Sequence, residues 1–283
     1  MRIINSIYNT TPAQLVTFLK KKFLRKNDWN FSIEWVLQNP KYSSINALID
    51  RWERYKRVIK LNINNTAVSN LDFNNKVVFE LGCGPLLGFA PIAIFNGAKQ
   101  YYYSEPFLNF ETLKSKKIKD KIFTNLYNEL VLNYGQLMTF ENFYKNIINC
   151  QPIDKINQKI DITLSNSVLE HLQSKDLISL LDSAFRNSNK GSIYFHSVDF
   201  GHHFKGSKHL DRLYVNSQKK KLPTLNMLRK SDIEELLKNK GYVNNSVFTY
   251  KKGNYNKDKM HDTWKIYEKD DLESRVVFFI GFK

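Results

Sequence analysis

The segment that decides the fold is residues 77–88, which read Val-Val-Phe-Glu-Leu-Gly-Cys-Gly-Pro-Leu-Leu-Gly. A short apolar run ends in the acidic Glu80 and passes into a turn with glycines at 82, 84 and 88. This pattern is typical of a buried strand that leads through a glycine-rich loop into a helix, where the missing Cβ atoms allow a ligand to lie against the backbone. A dinucleotide loop places its third glycine three residues after the second, whereas the gap here is four. The spacing and the acidic strand end therefore favour a cationic nucleoside without phosphate.

Two further segments follow in an order that narrows the interpretation. A predicted strand at 100–104 is followed by Glu105, about twenty residues after the glycine loop, which is the distance that one helix and one crossover require. Residues 161–172 read Asp-Ile-Thr-Leu-Ser-Asn-Ser-Val-Leu-Glu-His-Leu, a predicted strand followed by a polar turn and by a helix that starts near Val168. Together with Glu-Leu-Gly-Cys-Gly-Pro at 80–85, these segments resemble the successive motifs of class I S-adenosylmethionine (SAM) dependent methyltransferases. The resemblance covers roughly residues 70 to 283.

The resemblance implies SAM as the cofactor and S-adenosylhomocysteine as its product. In that family the acidic residue after the second strand holds the two ribose hydroxyls, a role that falls here to Glu105. The residues that the resemblance places at the cofactor are Glu80, Gly82, Cys83, Gly84, Pro85, Gly88, Glu105, Asn166 and Ser167.

The composition is that of a folded protein. Its 283 residues, 42% of them apolar, suffice for one α/β domain with an appendage. Cys83 lies in the glycine loop, so we do not expect a disulfide between it and Cys150, the other cysteine. The cysteine content therefore indicates a reducing compartment. The N-terminal residues lack the apolar stretch of a signal peptide, and no run of about 18 apolar residues could span a membrane. These features predict a cytoplasmic protein without a membrane span.

The formal net charge of +16 points to an anionic partner or to a composition bias. Lysines cluster at 20–22, 114–121, 219–221 and 251–259, and such a field attracts nucleic acid, anionic lipid or phosphorylated substrates. The clusters are scattered and belong to no recognisable nucleic-acid module, which favours the composition bias. An anionic small-molecule acceptor is the main alternative, and nucleic acid is less favoured.

Residues 1–70 are predicted to form a helical appendage, which in small-molecule methyltransferases commonly serves as a lid. Helical spacing runs from 12 to 23, from 31 to 37 and from 43 to 59. The polar, turn-rich stretch 62–75 marks the boundary with the next domain.

Residues 71–283 are predicted to form the SAM-binding methyltransferase domain. Strands alternate with helices, which indicates an α/β, Rossmann-like, doubly wound seven-stranded sheet, and a helical insertion at 107–142 has the spacing of two helices. The last two strands are separated only by the charged stretch 251–273, which has no helical pattern, and this suits the antiparallel last strand of this family. The predicted strands are 77–81, 100–104, 146–149, 161–165, 192–198, 243–250 and 275–282.

The predicted catalytic residues follow the fifth strand. Methyl transfer is an in-line displacement at carbon, for which the protein supplies positioning and, with a hydroxyl acceptor, a base. The segment from His196 to His203 resembles a His-x-x-Asp-x-x-x-His signature of methyltransferases found among surface-polysaccharide biosynthesis genes. A His can take a hydroxyl proton near neutral pH, and a nearby Asp can fix its tautomer. We therefore predict His203 as the base, Asp199 as the residue that orients it and His196 as part of the pocket wall.

Three further residues are predicted to contact the acceptor: His171 after the fourth strand, His202, and Arg229 as a clamp for an anionic group. The histidine-rich segment offers metal-ligand types, but its spacing matches no closed zinc pattern and it contains no Cys. General-base catalysis without a metal is preferred.

The sequence thus predicts a SAM-dependent methyltransferase that O-methylates a small anionic acceptor, such as a sugar, a nucleotide-linked sugar or a phosphorylated intermediate of surface-polysaccharide biosynthesis. The alternatives are an RNA methyltransferase, motivated by the charge, and a non-catalytic scaffold that retains the fold. The strand-four motif lacks the Asn/Asp-Pro-Pro-Tyr sequence of many amino-group methylators, which speaks against the first alternative. Nothing in the sequence indicates an oligomeric state.

Overall fold

A computed structural model describes the parts of the chain that carry the fold, namely residues 33–38, 44–62, 72–106, 108–201, 210–215 and 226–283. The predicted helix at 12–23 lies outside these residues, and so do His202 and His203.

The described residues contain one seven-stranded sheet. Its strands are β1 (Val77–Leu81), β2 (Gln100–Ser104), β3 (Gln151–Pro152), β4 (Ile160–Asn166), β5 (Ser188–Asp199), β6 (Val243–Lys252) and β7 (Ser274–Phe282). They lie in the order β3-β2-β1-β4-β5-β7-β6. The first five are joined by parallel pairing, and β7 runs antiparallel to both β5 and β6. The predicted fold class, a Rossmann-like sheet with an antiparallel last strand, is confirmed.

Helices cover both faces of this sheet. The α-helices within the described residues are α1 (Ile33–Gln38), α2 (Ile45–Asn62), α3 (Ala90–Phe95), α4 (Phe110–Lys114), α5 (Lys116–Ile118), α6 (Thr124–Tyr134), α7 (Phe140–Ile147), α8 (Ser174–Asn187), α9 (Lys230–Asn239) and α10 (Lys269–Glu273). A π-helical turn, Lys119–Phe123, joins α5 to α6. Short 3₁₀ turns lie at Ile153–Lys155, Leu169–His171, Asp211–Tyr214, Lys257–Lys259 and Asp262–Trp264.

Two large hydrophobic clusters show that the sheet is wound on both sides. Successive strand residues point to opposite faces, and accordingly Phe195 and Phe278 belong to one cluster while Tyr194 and Phe279 belong to the other. Residues of α2, α3, α6 and α7 join the first cluster, and residues of α8 and α9 join the second. Burial on both faces explains why the strands are apolar runs rather than alternating ones.

Helix α2 packs into the first cluster as part of the core. Ser44 caps its first turn, with its hydroxyl oxygen accepting from the Ala47 amide at 3.4 Å. Trp52 stacks on Phe73 with ring centroids 4.3 Å apart, and Tyr55 lies 4.3 Å from the ring of Phe195 on β5. The division at residue 70 stays a prediction, while α2 and the sheet share one hydrophobic core.

The prediction of a third strand at 146–149 was wrong. Residues up to Ile147 belong to α7, because Thr139 caps that helix and Phe143 and Ile147, one turn apart, are both buried. The strand follows at Gln151–Pro152 and is only two residues long. Proline cannot donate a ladder hydrogen bond, which confines this strand to the sheet edge.

Three helical predictions also differ from the structure. The 107–142 insertion holds more than two helices, because Asn109 and Ser115 each cap a new helix start. After β4 the chain forms a 3₁₀ turn, and α8 begins only at Ser174, later than the start near Val168 that we expected. The charged stretch between β6 and β7 includes α10.

Candidate functional site

The candidate site lies at the carboxyl ends of β1, β2, β4 and β5. Strand order reverses between β1 and β4, and Leu81 at the end of β1 pairs with Ser104 of β2 and Ser165 of β4. Ser165 pairs in turn with His196 of β5. The loops after these four strands therefore emerge side by side, at the switch point where open α/β sheets bind ligands.

The glycine loop after β1 depends on left-handed backbone angles. The φ angle is +69° at Gly82, +67° at Gly84 and +50° at Gly88. A Cβ on Gly82 would lie 2.3 Å from a methyl carbon of Val168, whereas a Cβ on Gly84 would meet nothing within 4 Å. Gly82 thus permits close packing against the loop after β4, and Gly84 borders open space.

Two other predicted cofactor residues lie inside this loop. Cys83 and Pro85 are both buried. Burial raises the pKa of the Cys83 thiol well above its ordinary value, so its side chain is a neutral thiol rather than a nucleophilic thiolate.

The buried side chain of Glu80 stabilises the glycine loop through hydrogen bonds. Its side chain is buried, and Oε2 accepts hydrogen bonds from the Phe89 amide at 2.9 Å and from the Tyr101 hydroxyl. Burial raises its pKa to about 7. A Cβ on Gly88 would lie 2.3 Å from this carboxyl group. We expected Glu80 to neighbour a cationic ligand, but the structure directs its carboxyl group inward to the loop backbone and β2.

Glu105 joins the loop after β2 to the glycine loop. The half-buried side chain accepts a hydrogen bond from the Gly84 amide through Oε2, at 3.0 Å. Two residues that we predicted to hold one ligand are thus in direct contact, on the β2 side of the switch point.

Asn166 and Ser167 end β4 beside β5. Asn166 pairs with Ser197, and the Ser167 amide donates to the Ser197 carbonyl at 2.8 Å. Ser167 has a φ of +54°, so the chain turns sharply there. The Tyr55 hydroxyl of α2 donates to Oδ1 of Asn166. Sequence reasoning missed Tyr55, because a tyrosine on the apolar face of an amphipathic helix gives no signal beyond core packing.

His196 is an interior residue of β5. Its Nδ1 lies 2.8 Å from the Ser165 hydroxyl oxygen, and Nε2 has no hydrogen-bond partner among the described residues. Burial lowers the pKa of His196 to about 3, so the ring is neutral. We predicted a pocket wall, but the side chain has no solvent exposure, and its ring stacks on that of Tyr194 on the same face of β5, with ring centroids 5.3 Å apart.

Asp199 ends β5 in a cluster of charged groups. Its Oδ1 accepts from the Gly201 amide at 2.8 Å and lies 3.7 Å from Nε of Arg275. The Asp199 amide donates to Oε1 of Glu170 at 3.1 Å. Glu170 is fully buried, and burial raises its pKa to about 8. The Asp199 carboxylate thus lies where the chain leaves the sheet toward His202 and His203.

The Arg229 side chain lies in the interior of the protein. Its Nη2 donates to the carbonyl oxygens of Asp271, Leu272 and Ser274, and its Nε lies 3.6 Å from the Asp271 carboxylate. The side chain has no solvent exposure. We predicted a clamp facing an anionic acceptor, whereas these contacts tie α10 and β7 to the start of α9.

A second buried arginine, Arg212, was not foreseen. Its guanidinium donates to the carbonyl of Leu228 at 3.2 Å and lies on the ring of Phe200, as that of Arg229 also does. His171, the remaining predicted acceptor residue, is half-buried in the 3₁₀ turn after β4.

No group of three or more His, Cys, Asp or Glu side chains in the described part of the chain could hold a metal ion. Across the same residues, none of the helices has both the length and the apolar character that crossing a bilayer requires.

No protein-family model matches the chain, and no curated protein matches it. Solved structures similar to it include a SAM-dependent methyltransferase from Archaeoglobus fulgidus, 12% identical, with 88% of this chain and 99% of that one covered at a TM-score of 0.45. Phosphoethanolamine N-methyltransferase 2 of Haemonchus contortus, solved with SAM, is 11% identical over 97% of this chain and 60% of that one, with a TM-score of 0.47. Magnesium protoporphyrin IX methyltransferase of Synechocystis, solved with S-adenosylhomocysteine, is 12% identical over 100% and 99%, with a TM-score of 0.42. Similarity at this level concerns the fold alone.

The steric role of Gly88 is testable by comparison with Gly84. Both residues have positive φ, so an alanine at either position carries backbone strain of about 1–2 kcal/mol. Gly88→Ala should cost about 1–3 kcal/mol more, because its methyl group also collides with the carboxyl group of Glu80. Urea unfolding of both variants without ligand measures the difference. Equal losses of stability would show that Glu80 does not restrict position 88.

The buried carboxyl group of Glu170 predicts a pH dependence of stability. The folded protein retains this proton up to about pH 8, whereas the unfolded chain releases it near 4.5. The folded state therefore binds more protons in this window, and its stability falls as pH rises from about 4.5 to 8. Glu170→Gln keeps an acceptor for the Asp199 amide and should reduce that slope by about 1 kcal/mol per pH unit. Urea unfolding at several pH values tests this, and an unchanged slope would contradict it.

Proposed function

We propose that this protein is a SAM-dependent methyltransferase. The observation that carries the proposal is the contact between Glu105 and the Gly84 amide. It joins an acidic residue after β2 to a glycine loop after β1, at the switch point of the sheet. The open space beside Gly84 supports a ligand lying against this backbone.

The residues around this contact have the chemistry that the cofactor needs. Glu105 offers carboxylate oxygens to ribose hydroxyls, and the glycine loop offers backbone groups to the methionine part. Glu80 holds the end of the loop through the Phe89 amide. When bound, SAM would supply the activated methyl group, and the protein would contribute positioning and removal of the acceptor proton.

We further propose that the acceptor is a small anionic molecule methylated on oxygen, of the sugar, nucleotide-linked sugar or phosphorylated type. In this proposal His203 takes the hydroxyl proton, and Asp199 orients its ring and stabilises the charged form. The half-buried position of Asp199 at the end of β5 supports this role. His196 is neutral and buried, so its part is to support the end of β5 through Ser165.

The cofactor proposal is tested by calorimetry with SAM and S-adenosylhomocysteine. Glu105→Ala should weaken both affinities about 10- to 100-fold, because hydrogen bonds to a charged group are lost. Glu111→Ala is the matched control, since that glutamate is 82% exposed and pairs only with Lys114 at 3.2 Å in the described structure. No binding of either ligand by the wild type would refute the cofactor and favour a non-catalytic scaffold.

The base is tested by turnover once an acceptor is found. His203→Ala should lower turnover about 100-fold or more while leaving SAM affinity unchanged, because a general base acts only on the chemical step. Screening sugars, phosphorylated sugars and RNA with labelled SAM identifies the acceptor class. Turnover within about twofold of wild type would remove His203 from the mechanism, and methylation of RNA alone would favour the alternative acceptor.

A further inference from the structure

We propose that Tyr55, on helix α2, is a positioning residue that fixes the side-chain amide of Asn166 in the methyl-transfer site. The inference rests on the proposed function, because Asn166 belongs to the set of residues that we place at the cofactor. Helix α2 would then help to set the geometry of the site as well as form part of the core.

The direction of the hydrogen bond determines which way the amide faces. The Tyr55 side chain is almost fully buried, and burial raises its pKa well above the ordinary value, so the phenol keeps its proton at physiological pH. In the structure this hydroxyl donates to Oδ1 of Asn166. The Nδ2 group of Asn166 is consequently turned away from Tyr55, with its two donors available to other partners.

The side chain of Ser197 on β5 lies near the phenolic oxygen and opposes the effect of burial on the pKa of Tyr55. Ser197 is also the ladder partner of Asn166. The Tyr55 hydroxyl thus bonds to the end of β4 beside the end of β5, on the opposite side of β1 from Glu105.

The ring of Tyr55 is held rigidly enough for this role. It lies 4.3 Å from the ring of Phe195, 5.4 Å from Phe278 and 5.5 Å from Phe89. Phe195 and Phe278 belong to β5 and β7, and Phe89 stands at the start of α3. These contacts come from the sheet and from the glycine loop, so the position of the hydroxyl is set by the same core that sets the site.

Removal of the Tyr55 hydroxyl should lower ligand affinity by more than the loss of one structural hydrogen bond would. Without a donor at Oδ1, the Asn166 amide can turn over and present its carbonyl oxygen where its NH₂ group stood. A site built to donate a hydrogen bond would then offer an acceptor for part of the time. We expect S-adenosylhomocysteine affinity to fall about 3- to 10-fold in Tyr55→Phe, which keeps every ring contact.

The matched control is Tyr127→Phe. The Tyr127 hydroxyl donates to the Met138 carbonyl at 2.8 Å, on the insertion side of the protein and away from the strand ends. Both variants lose one tyrosine hydrogen bond, so thermal unfolding should show similar decreases in Tm. Only Tyr55→Phe should lose affinity, which separates positioning from a general loss of stability.

A double-mutant cycle with Asn166→Ala completes the test. Calorimetry should show that Tyr55→Phe weakens S-adenosylhomocysteine binding in the wild-type background and has no further effect once Asn166 is alanine. Equal affinities of wild type and Tyr55→Phe, or equal effects of Tyr55→Phe in both backgrounds, would overturn the inference and leave the cofactor proposal standing. Absence of binding by the wild type would refute the cofactor proposal itself and this inference with it.

Discussion

The carboxyl group of Glu80, buried at the end of β1, is the constraint on which the rest of the site depends. It accepts hydrogen bonds from the Phe89 amide at the start of α3 and from Tyr101 on β2, so one side chain joins three elements. Burying a carboxyl group costs free energy unless the group is hydrogen-bonded or protonated. The Glu80 carboxyl group is hydrogen-bonded, and its pKa is raised to about 7, which favours the protonated form. The requirement for glycine at position 88 follows from it, because any Cβ there would occupy the space of the carboxyl group.

The two sides of the switch point are held by different means. On the side of β2, backbone angles and the Glu105 contact with Gly84 set the geometry, so the arrangement is local to about 25 residues. On the side of β5, the geometry is set by long-range contacts: Tyr55 reaches Asn166 from 111 residues away, and His196 is bonded to Ser165. The first side can be recognised in a sequence because its parts are close together, and the second cannot.

This difference explains what could be predicted from the sequence. The glycine loop, Glu105 and six of the strand positions follow from local patterns of apolar runs and turn residues. The third strand could not be placed, since two residues at a sheet edge carry no periodicity and the helical pattern of α7 runs up to them. Arg229 was predicted to clamp an anionic acceptor, whereas its Nη2 donates to carbonyl groups of α10 and β7 in the interior. Such a role depends on which segments meet in space.

The distribution of charge bears on the ligand more than the net charge does. The chain carries +16 overall, yet the acidic residues Glu105 and Asp199 stand just after β2 and at the end of β5. The segments 82–89 and 167–173, which follow β1 and β4, contain neither Lys nor Arg. A phosphate group binds best where backbone amides or cationic side chains are free to meet it, and here the Gly84 amide is already bonded to a carboxylate. The strand ends are therefore better suited to a sulfonium-bearing nucleoside than to a nucleotide phosphate.

The exposed lysines add a long-range attraction for anions, which is screened within about 10 Å at 0.1 M salt. The anionic acceptor that we propose would accordingly gain in encounter rate from the protein as a whole, whereas the cofactor would be held by short-range contacts, among them those of Glu105 and the oriented amide of Asn166.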